Sequence, residues 1–304
     1  MNDLYDILIC GGGPAGLTAG IYCARGGMRA AVLERMSIGG QAALPENIEN
    51  YPGYGHIGGY ELTDKMRAQA EALGAEILYD EAVSFSLKSK IKKLKTAAGK
   101  EYAARAVILA LGAGARPLGA PGEAEFAGRG VSYCATCDGA FFREKVACVA
   151  GGGNTAAEDA LYLARFTKKV YLIHRRDALR ADAANVKKIS AEPKIEVLWN
   201  TVVTEIAGGN AVERLKLKNT VTGAVSALAT DALFVAVGQT PNTAVLNGTG
   251  VKLNESGYIC VNEHMRTNIK RVYAAGDCTN AHLKQIVTAC ANGAVAASTA
   301  IQEL

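Results

Sequence analysis

Cys134 and Cys137 stand two residues apart, with Asp138 directly after them, in the run YCATCDGAFF (133–142). Such a pair supports three chemistries. It can supply half of a tetrahedral zinc site. It can form a structural disulfide. It can also work as a dithiol, because the two-residue spacer lets both sulfurs bond within a short loop while local dipoles ease one of them towards thiolate. A thiolate is what attacks a disulfide in thiol–disulfide exchange. The remainder of the chain has to separate these readings.

The other six cysteines show no paired spacing. Cys10, Cys23, Cys148, Cys260, Cys278 and Cys290 are read as small buried hydrophobes. With 49% apolar and 20% charged residues, the 304-residue chain can fill the cores of about two domains. A net charge of +4 with dispersed basic residues carries no nucleic-acid signature. The start, MNDLYDILIC, lacks the basic opening and long apolar segment of a leader. No apolar run is long enough to span a bilayer. The expectation is therefore a cytoplasmic protein, in a reducing compartment that disfavours a permanent disulfide.

The elements that must position the chemistry occur twice. In YDILICGGGPAGLTAGIYCARGGMRAAVLER, Tyr5–Cys10 reads as a strand, Gly11-x-Gly13-x-x-Gly16 as a turn, Ala15–Arg25 as a helix and Ala30–Glu34 as the next strand. In KVACVAGGGNTAAEDALYLARFTKKVYLIHRR, Lys145–Ala150, Gly151-x-Gly153-x-x-Ala156, Thr155–Phe166 and Val170–His174 repeat that order without a gap. The first glycine permits the tight turn, the second lets backbone approach a pyrophosphate, and the third, or an alanine, lets helix pack on strand. Free amides and the positive dipole at the helix start then hold phosphate.

The two units differ at the end of their second strands. Twenty-three positions beyond the first glycine stands Glu34 in one unit and His174 in the other, the latter followed by Arg175 and Arg176. An acid there accepts from ribose hydroxyls, whereas a basic group suits a ribose 2′-phosphate. The first unit thus reads as a site for a nucleotide with a free ribose diol and the second as a site for NADPH. Arg180, one helical turn beyond Arg176, adds a second clamp; Asp177 and Asp182 are the acids that would instead neutralise a merely solvated basic face. Two nicotinamide sites would have nothing to exchange, so FAD is the expected occupant of the first unit. RVYAAGDC adds a strand, Val272–Ala275, running into Asp277, which can take ribityl hydroxyls or simply cap a helix.

Taken together, GGGPAG, GGQ (39–41), IENYPG (48–53), CATCDG, GGGNTA, HRRDALR, AAGD and KQIVTA resemble the bacterial low-molecular-weight thioredoxin reductases, from Tyr5 to the end of the chain. The resemblance implies an α/β fold with two Rossmann-like dinucleotide-binding domains, the NADPH domain inserted into a discontinuous FAD domain, in a homodimer. It divides the chain into 1–115 and 243–304 for FAD and 116–242 for NADPH and the dithiol, with crossings marked by glycine and proline. It implies FAD contacts from Gly11, Gly13, Gly16, Glu34, Gln41, Asn50, Asp277 and Gln285. NADPH contacts would come from Gly151, Gly153, Ala156, His174, Arg175, Arg176 and Arg180. Two departures are visible: Lys284 where many members carry Arg, and Leu111 where Thr is common.

The dithiol reading gains from this. No second Cys-x-x-Cys exists, and His56, His174, His264 and His282 have no ligand spacing, so zinc lacks its four ligands. By resemblance, Cys137 faces the flavin, Cys134 is the exchanging thiol, and Asp138 moves a proton to or from the pair. Electrons would pass from NADPH through FAD and the dithiol to thioredoxin, with one domain rotating against the other about the two crossings. The rival readings are the same relay serving another disulfide, a ferredoxin–NADP reductase, against which the dithiol argues, and a non-catalytic NADPH-binding sensor.

Overall fold

The computed structural model describes residues 4–45 and 48–304. The chain divides into two compact units, Met1–Gly114 with Thr240–Leu304, and Ala115–Gln239.

The first unit opens with β1 (Leu4–Cys10), α1 (Pro14–Arg25), β2 (Ala30–Glu34), α2 (Gly59–Ala72), β3 (Glu76–Tyr79), β4 (Ala82–Ser86), β5 (Lys92–Thr96), β6 (Glu101–Leu109) and the short β7 (Ala113–Ala115). Its sheet runs β3-β2-β1-β6-β5-β4. Ile7, Leu8 and Ile9 of β1 are wholly buried, as expected for a strand covered on both faces. Ile7 and Ile9 face one core, with Ala15, Ala19 and Cys23 of α1. Tyr5, Leu8 and Cys10 face the other, with Leu87 and Leu94. Burying each of these large side chains contributes roughly 1.5–3 kcal/mol.

The second unit contains β8 (Val131–Ser132), α3 (Ala135–Asp138), β9 (Val146–Gly151), α4 (Asn154–Ala164), β10 (Lys169–Ile173), α5 (Ala183–Ala191), β11 (Ile195–Leu198), β12 (Thr201–Gly208), β13 (Val212–Asn219), β14 (Val225–Ala229) and β15 (Ala232–Ala236). A parallel sheet runs β11-β10-β9-β15-β8, and β12-β13-β14 form a separate antiparallel sheet. Alanines 156, 157 and 160 of α4 are buried, which lets that helix lie close on the strands.

The return crossing carries β16 (Gln239–Pro241), after which β17 (Val272–Ala274) and α6 (Ile286–Glu303) complete the first unit. The long β6 is shared. Its first half pairs antiparallel with β5, and Val107–Leu109 pair in parallel with β17. The carboxyl ends of β1, β2 and β17, which lead to Gly11, Glu34 and Asp277, therefore open at the same end of the sheet, where α/β folds bind ligands. Helix α6 packs on α1 at Gly293, where a Cβ would meet Ala15 O at 2.1 Å.

Candidate active site

The three glycines of the first turn have distinct causes. Gly11 has φ +112°, and a Cβ there would meet Ala110 O at 2.1 Å. A Cβ on Gly16 would lie 1.8 Å from Gly11 O. These two are required by the fold itself. Gly13 is not, since the nearest atom to its Cβ would be Gly39 O at 3.9 Å. The space in front of it is what an incoming pyrophosphate needs. Helix α1 begins at Gly13 and Pro14 with no side chain capping its first amides, so those donors remain for a ligand.

Glu34, at the end of β2, is aimed by backbone. Gly12 N–H donates to its Oε2 at 2.7 Å and Met36 N–H to its Oε1 at 3.0 Å. The carboxylate is thereby fixed beside the turn with lone pairs left for ribose hydroxyls. Gln41 sits in the 3-10 turn Gly40–Ala43, whose neighbour Gly39 donates its N–H to Gly12 O at 2.9 Å. Asn50 Nδ2 donates to Gln285 Oε1 at 3.0 Å. Gln285 caps α6 through a capping box with Thr288.

Asp277 follows β17. Its carboxylate is half-buried and accepts no hydrogen bond from the described residues, and burial raises its pKa, an effect that Lys284 opposes. Its open lone pairs can accept from a ribityl hydroxyl. Lys284 donates its Nζ to Asp277 O at 2.6 Å and lies 3.4 Å from the centre of the Tyr258 ring. The fork of an arginine is thus replaced by a point charge held on a carbonyl and an aromatic face.

The second turn repeats the logic. A Cβ on Gly151 would meet Ala236 O at 2.4 Å and the Ala156 Cβ at 2.6 Å. Nothing lies within 4 Å of a Cβ on Gly153, and the start of α4 again has no side-chain cap. Arg175, Arg176 and Arg180 are exposed and form no ion pair with the described residues. The backbone ties them to the turn, because Arg180 N–H donates to Gly152 O at 2.7 Å. Asp182 is engaged elsewhere, receiving Asn154 Nδ2 at 2.8 Å. His174 stands apart from the arginines. It is 4% exposed and shares a hydrogen bond of 3.0 Å with Ala178 O. A Cβ on Gly152 would come within 2.1 Å of its ring. Burial lowers its pKa, against the pull of the Ala178 and Gly151 hydrogen bonds.

Cys134 and Cys137 are joined as a disulfide with their Cα atoms 5.3 Å apart. Cys134 caps the short α3, and its sulfur accepts Cys137 N–H at 3.2 Å and lies 3.3 Å from Thr136 Oγ1. Asp138 Oδ2 accepts from Ser132 Oγ at 2.7 Å, and Ser132 Oγ accepts Cys134 N–H at 3.1 Å. Tyr133 OH donates to Glu123 Oε1 at 2.8 Å, and that buried carboxylate also takes the amides of Leu118 and Gly119. Burial and then Glu123 push the tyrosine up to about 12. Ser132, Thr136 and Glu123 escaped the sequence reading. A serine two residues before Cys134 is a visible local signal, but nothing in one dimension joins it to Asp138. Among the remaining thiols, Cys10, Cys23, Cys148 and Cys278 are buried as expected, whereas Cys260 and Cys290 are only partly so. The described residues contain no group that could hold a metal ion.

One cradle ends in an acid and the other in exposed arginines, so they fit two chemically different dinucleotides, and a redox relay has use for both beside a dithiol. That makes the chain a dinucleotide-dependent oxidoreductase. It belongs to the pyridine nucleotide-disulphide oxidoreductase family, which it matches over residues 5–293. It is 43% identical to a thioredoxin reductase of Peptoclostridium acidaminophilum, over 99% of this chain and 97% of that one. It is 44% identical to a thioredoxin reductase of Bacillus subtilis, over 97% and 93%. The crystal structure of Lactococcus lactis thioredoxin reductase (FR conformation) superposes with a TM-score of 0.95 at 42% identity, covering 99% of this chain and 100% of that one. The chain is an NADPH-dependent flavoprotein oxidoreductase with FAD and NADPH as its cofactors.

Proposed function

We propose that this enzyme is a thioredoxin-disulfide reductase whose Cys134–Cys137 pair meets the disulfide of thioredoxin. The observation that carries the reading is the bonded cysteine pair on a helix start, with the acid Asp138 next to it. In this reading the split unit, 1–115 and 243–304, holds FAD through Gly11, Gly13, Gly16, Glu34, Gln41, Asn50, Asp277 and Gln285. The unit 116–242 holds NADPH through Gly151, Gly153 and Ala156 at the pyrophosphate and Arg175, Arg176 and Arg180 at the 2′-phosphate, with His174 backing the turn. The bound cofactors supply two electrons, taken as hydride from NADPH and handed on through FAD.

The chain's own residues then do the exchange. Once the disulfide is open, the Cys137 amide and the Thr136 hydroxyl stabilise negative charge on the Cys134 sulfur. The Cys134 thiolate attacks one sulfur of the thioredoxin disulfide, forming a mixed disulfide and releasing the other sulfur as a thiolate. Cys137 next attacks Cys134, which re-forms the internal bond and frees thioredoxin as a dithiol. Asp138 moves the proton that Cys137 loses. The enzyme works in the cytoplasm as a homodimer, without nucleic acid or membrane. None of its described helices is long and apolar enough to cross a membrane.

The test is NADPH consumption with thioredoxin, for the wild type and Cys134→Ser. Sustained turnover that the substitution abolishes is expected. Flavin reduction without thioredoxin turnover would redirect the relay to a different disulfide, and consumption of a single equivalent would make the protein a sensor.

A further inference from the structure

The Ser132 hydroxyl occupies the centre of the dithiol turn and is 6% exposed. It has one proton and two acceptor positions. One acceptor position is taken by Cys134 N–H at 3.1 Å. Its proton has two destinations, Asp138 Oδ2 at 2.7 Å and Cys134 O at 3.2 Å. Asp138 accepts no other hydrogen bond from the described residues, so Ser132 is its one protein donor there.

These distances describe two complete arrangements. With Asp138 ionised, Ser132 donates to the carboxylate. With Asp138 protonated on Oδ2, the acid donates to Ser132, whose own proton turns to Cys134 O. The serine oxygen then accepts from Cys134 N–H and from the acid and donates to the carbonyl. Neither arrangement leaves a buried polar group unpaired, so the proton enters and leaves Asp138 without the penalty that an orphaned group would impose. We infer that Ser132 is the positioning residue of the dithiol reaction, a hydroxyl that serves Asp138 in both of its charge states and ties each to the Cys134 backbone. This rests on Asp138 as the group that moves the proton.

Other ionisable groups surround the turn and bear on its pH behaviour. On α4 these are Glu158, Tyr162 and Asp159, the last pushed up to about 7 by burial and then by Glu158. Tyr133 is bonded to Glu123. Arg143 lies over the Phe166 ring, Lys145 over Phe142 and Arg165 over Tyr162. Glu144 follows Arg143, and Asp231 Oδ2 accepts Val146 N–H at 2.9 Å. None of them hydrogen-bonds or ion-pairs with Asp138, yet Asp159 can itself shape a pH profile near neutrality, so the test needs an Asp138 background.

The experiment measures thioredoxin-dependent NADPH oxidation by the holoenzyme across pH for the wild type, Ser132→Ala, Ser132→Thr, Asp138→Asn and the Ser132→Ala/Asp138→Asn double variant. Flavin content and thermal unfolding confirm that each is folded. The hydroxyl's bond to the ionised carboxylate is stronger than the one it shares with the neutral acid, so Ser132→Ala should move the limb that Asp138→Asn removes to higher pH. Ser132→Thr should restore the limb, and in the Asp138→Asn background Ser132→Ala should move nothing. If Ser132→Ala does not fold, Ser132→Cys, a weak donor of similar size, must produce the same displacement. A uniform loss of rate at every pH, or an equal displacement in the Asp138→Asn background, would overturn the role of Ser132 while leaving Asp138 in place. A profile untouched by Asp138→Asn would remove Asp138 from the reaction, and this inference with it.

Discussion

Lys284 holds its ammonium 3.4 Å from the centre of the Tyr258 ring, and 2.6 Å from the carbonyl oxygen of Asp277. The charge thus organises the loop that presents the Asp277 carboxylate rather than standing free in solvent. Burial lowers the lysine's pKa, and the charge of Asp277 partly restores it. A desolvated cation–π pair is worth about 2 kcal/mol. Lys284→Ala is therefore expected to lower holoprotein stability by roughly 1–3 kcal/mol and to speed FAD loss. A double-mutant cycle with Tyr258→Leu, read by urea unfolding, should return about 1–2 kcal/mol of coupling. Additive effects would mean that the ring contributes nothing.

The glycines of the first turn should separate folding from binding. Gly16→Ala would put a methyl group 1.8 Å from Gly11 O, in rigid backbone, so the apoprotein should be strongly destabilised. Gly13→Ala meets open space. Its apoprotein should unfold at nearly the wild-type temperature while FAD affinity drops about tenfold or more, measured by flavin titration. Gly153→Ala should likewise leave the fold intact and raise the KM for NADPH.

Asp277 makes a pH-dependent prediction in the apoprotein. Burial, opposed by Lys284, raises its folded pKa above the ordinary carboxylate value. The folded state therefore holds this proton more tightly than the unfolded chain does. The resulting stability is fully present below the ordinary carboxylate range and is lost as pH rises through the folded value. Asp277→Asn should consequently stabilise the apoprotein at pH 7–8 relative to wild type, with the advantage vanishing as pH falls below the ordinary carboxylate range. The same substitution should weaken FAD. Thermal scans at several pH values check the first part and flavin titration the second.

Arg175 and Arg176 have no carboxylate partner among the described residues, so their charge is available to an anion. Replacing both with Ala should raise the KM for NADPH about 100-fold, from roughly 1–1.5 kcal/mol per lost charged contact, and leave NADH nearly unchanged. Steady-state kinetics with both nucleotides decides this. Equal losses would mean that the cluster does not read the 2′-phosphate.

Much of the molecule follows from short-range rules. The strand β2 ends at Glu34, where the apolar run ends, and both helices begin at the residue after the second glycine of their turns. The Cys134–Cys137 spacing closes its own loop. Features of this kind are settled within about 30 residues by backbone geometry and hydrophobic periodicity, so one dimension is enough to read them. Tertiary structure decided the rest. It buried His174 beneath Gly152 while its neighbours Arg175 and Arg176 stayed exposed, although all three are basic residues in one run. It set Ser132 against Asp138, Glu123 against Tyr133 and Lys284 over Tyr258. It also left the Asp277 carboxylate half-buried without a donor among the described residues. These pairings depend on how separate segments pack and on which polar groups lose water in the process, and neither is encoded in any local pattern.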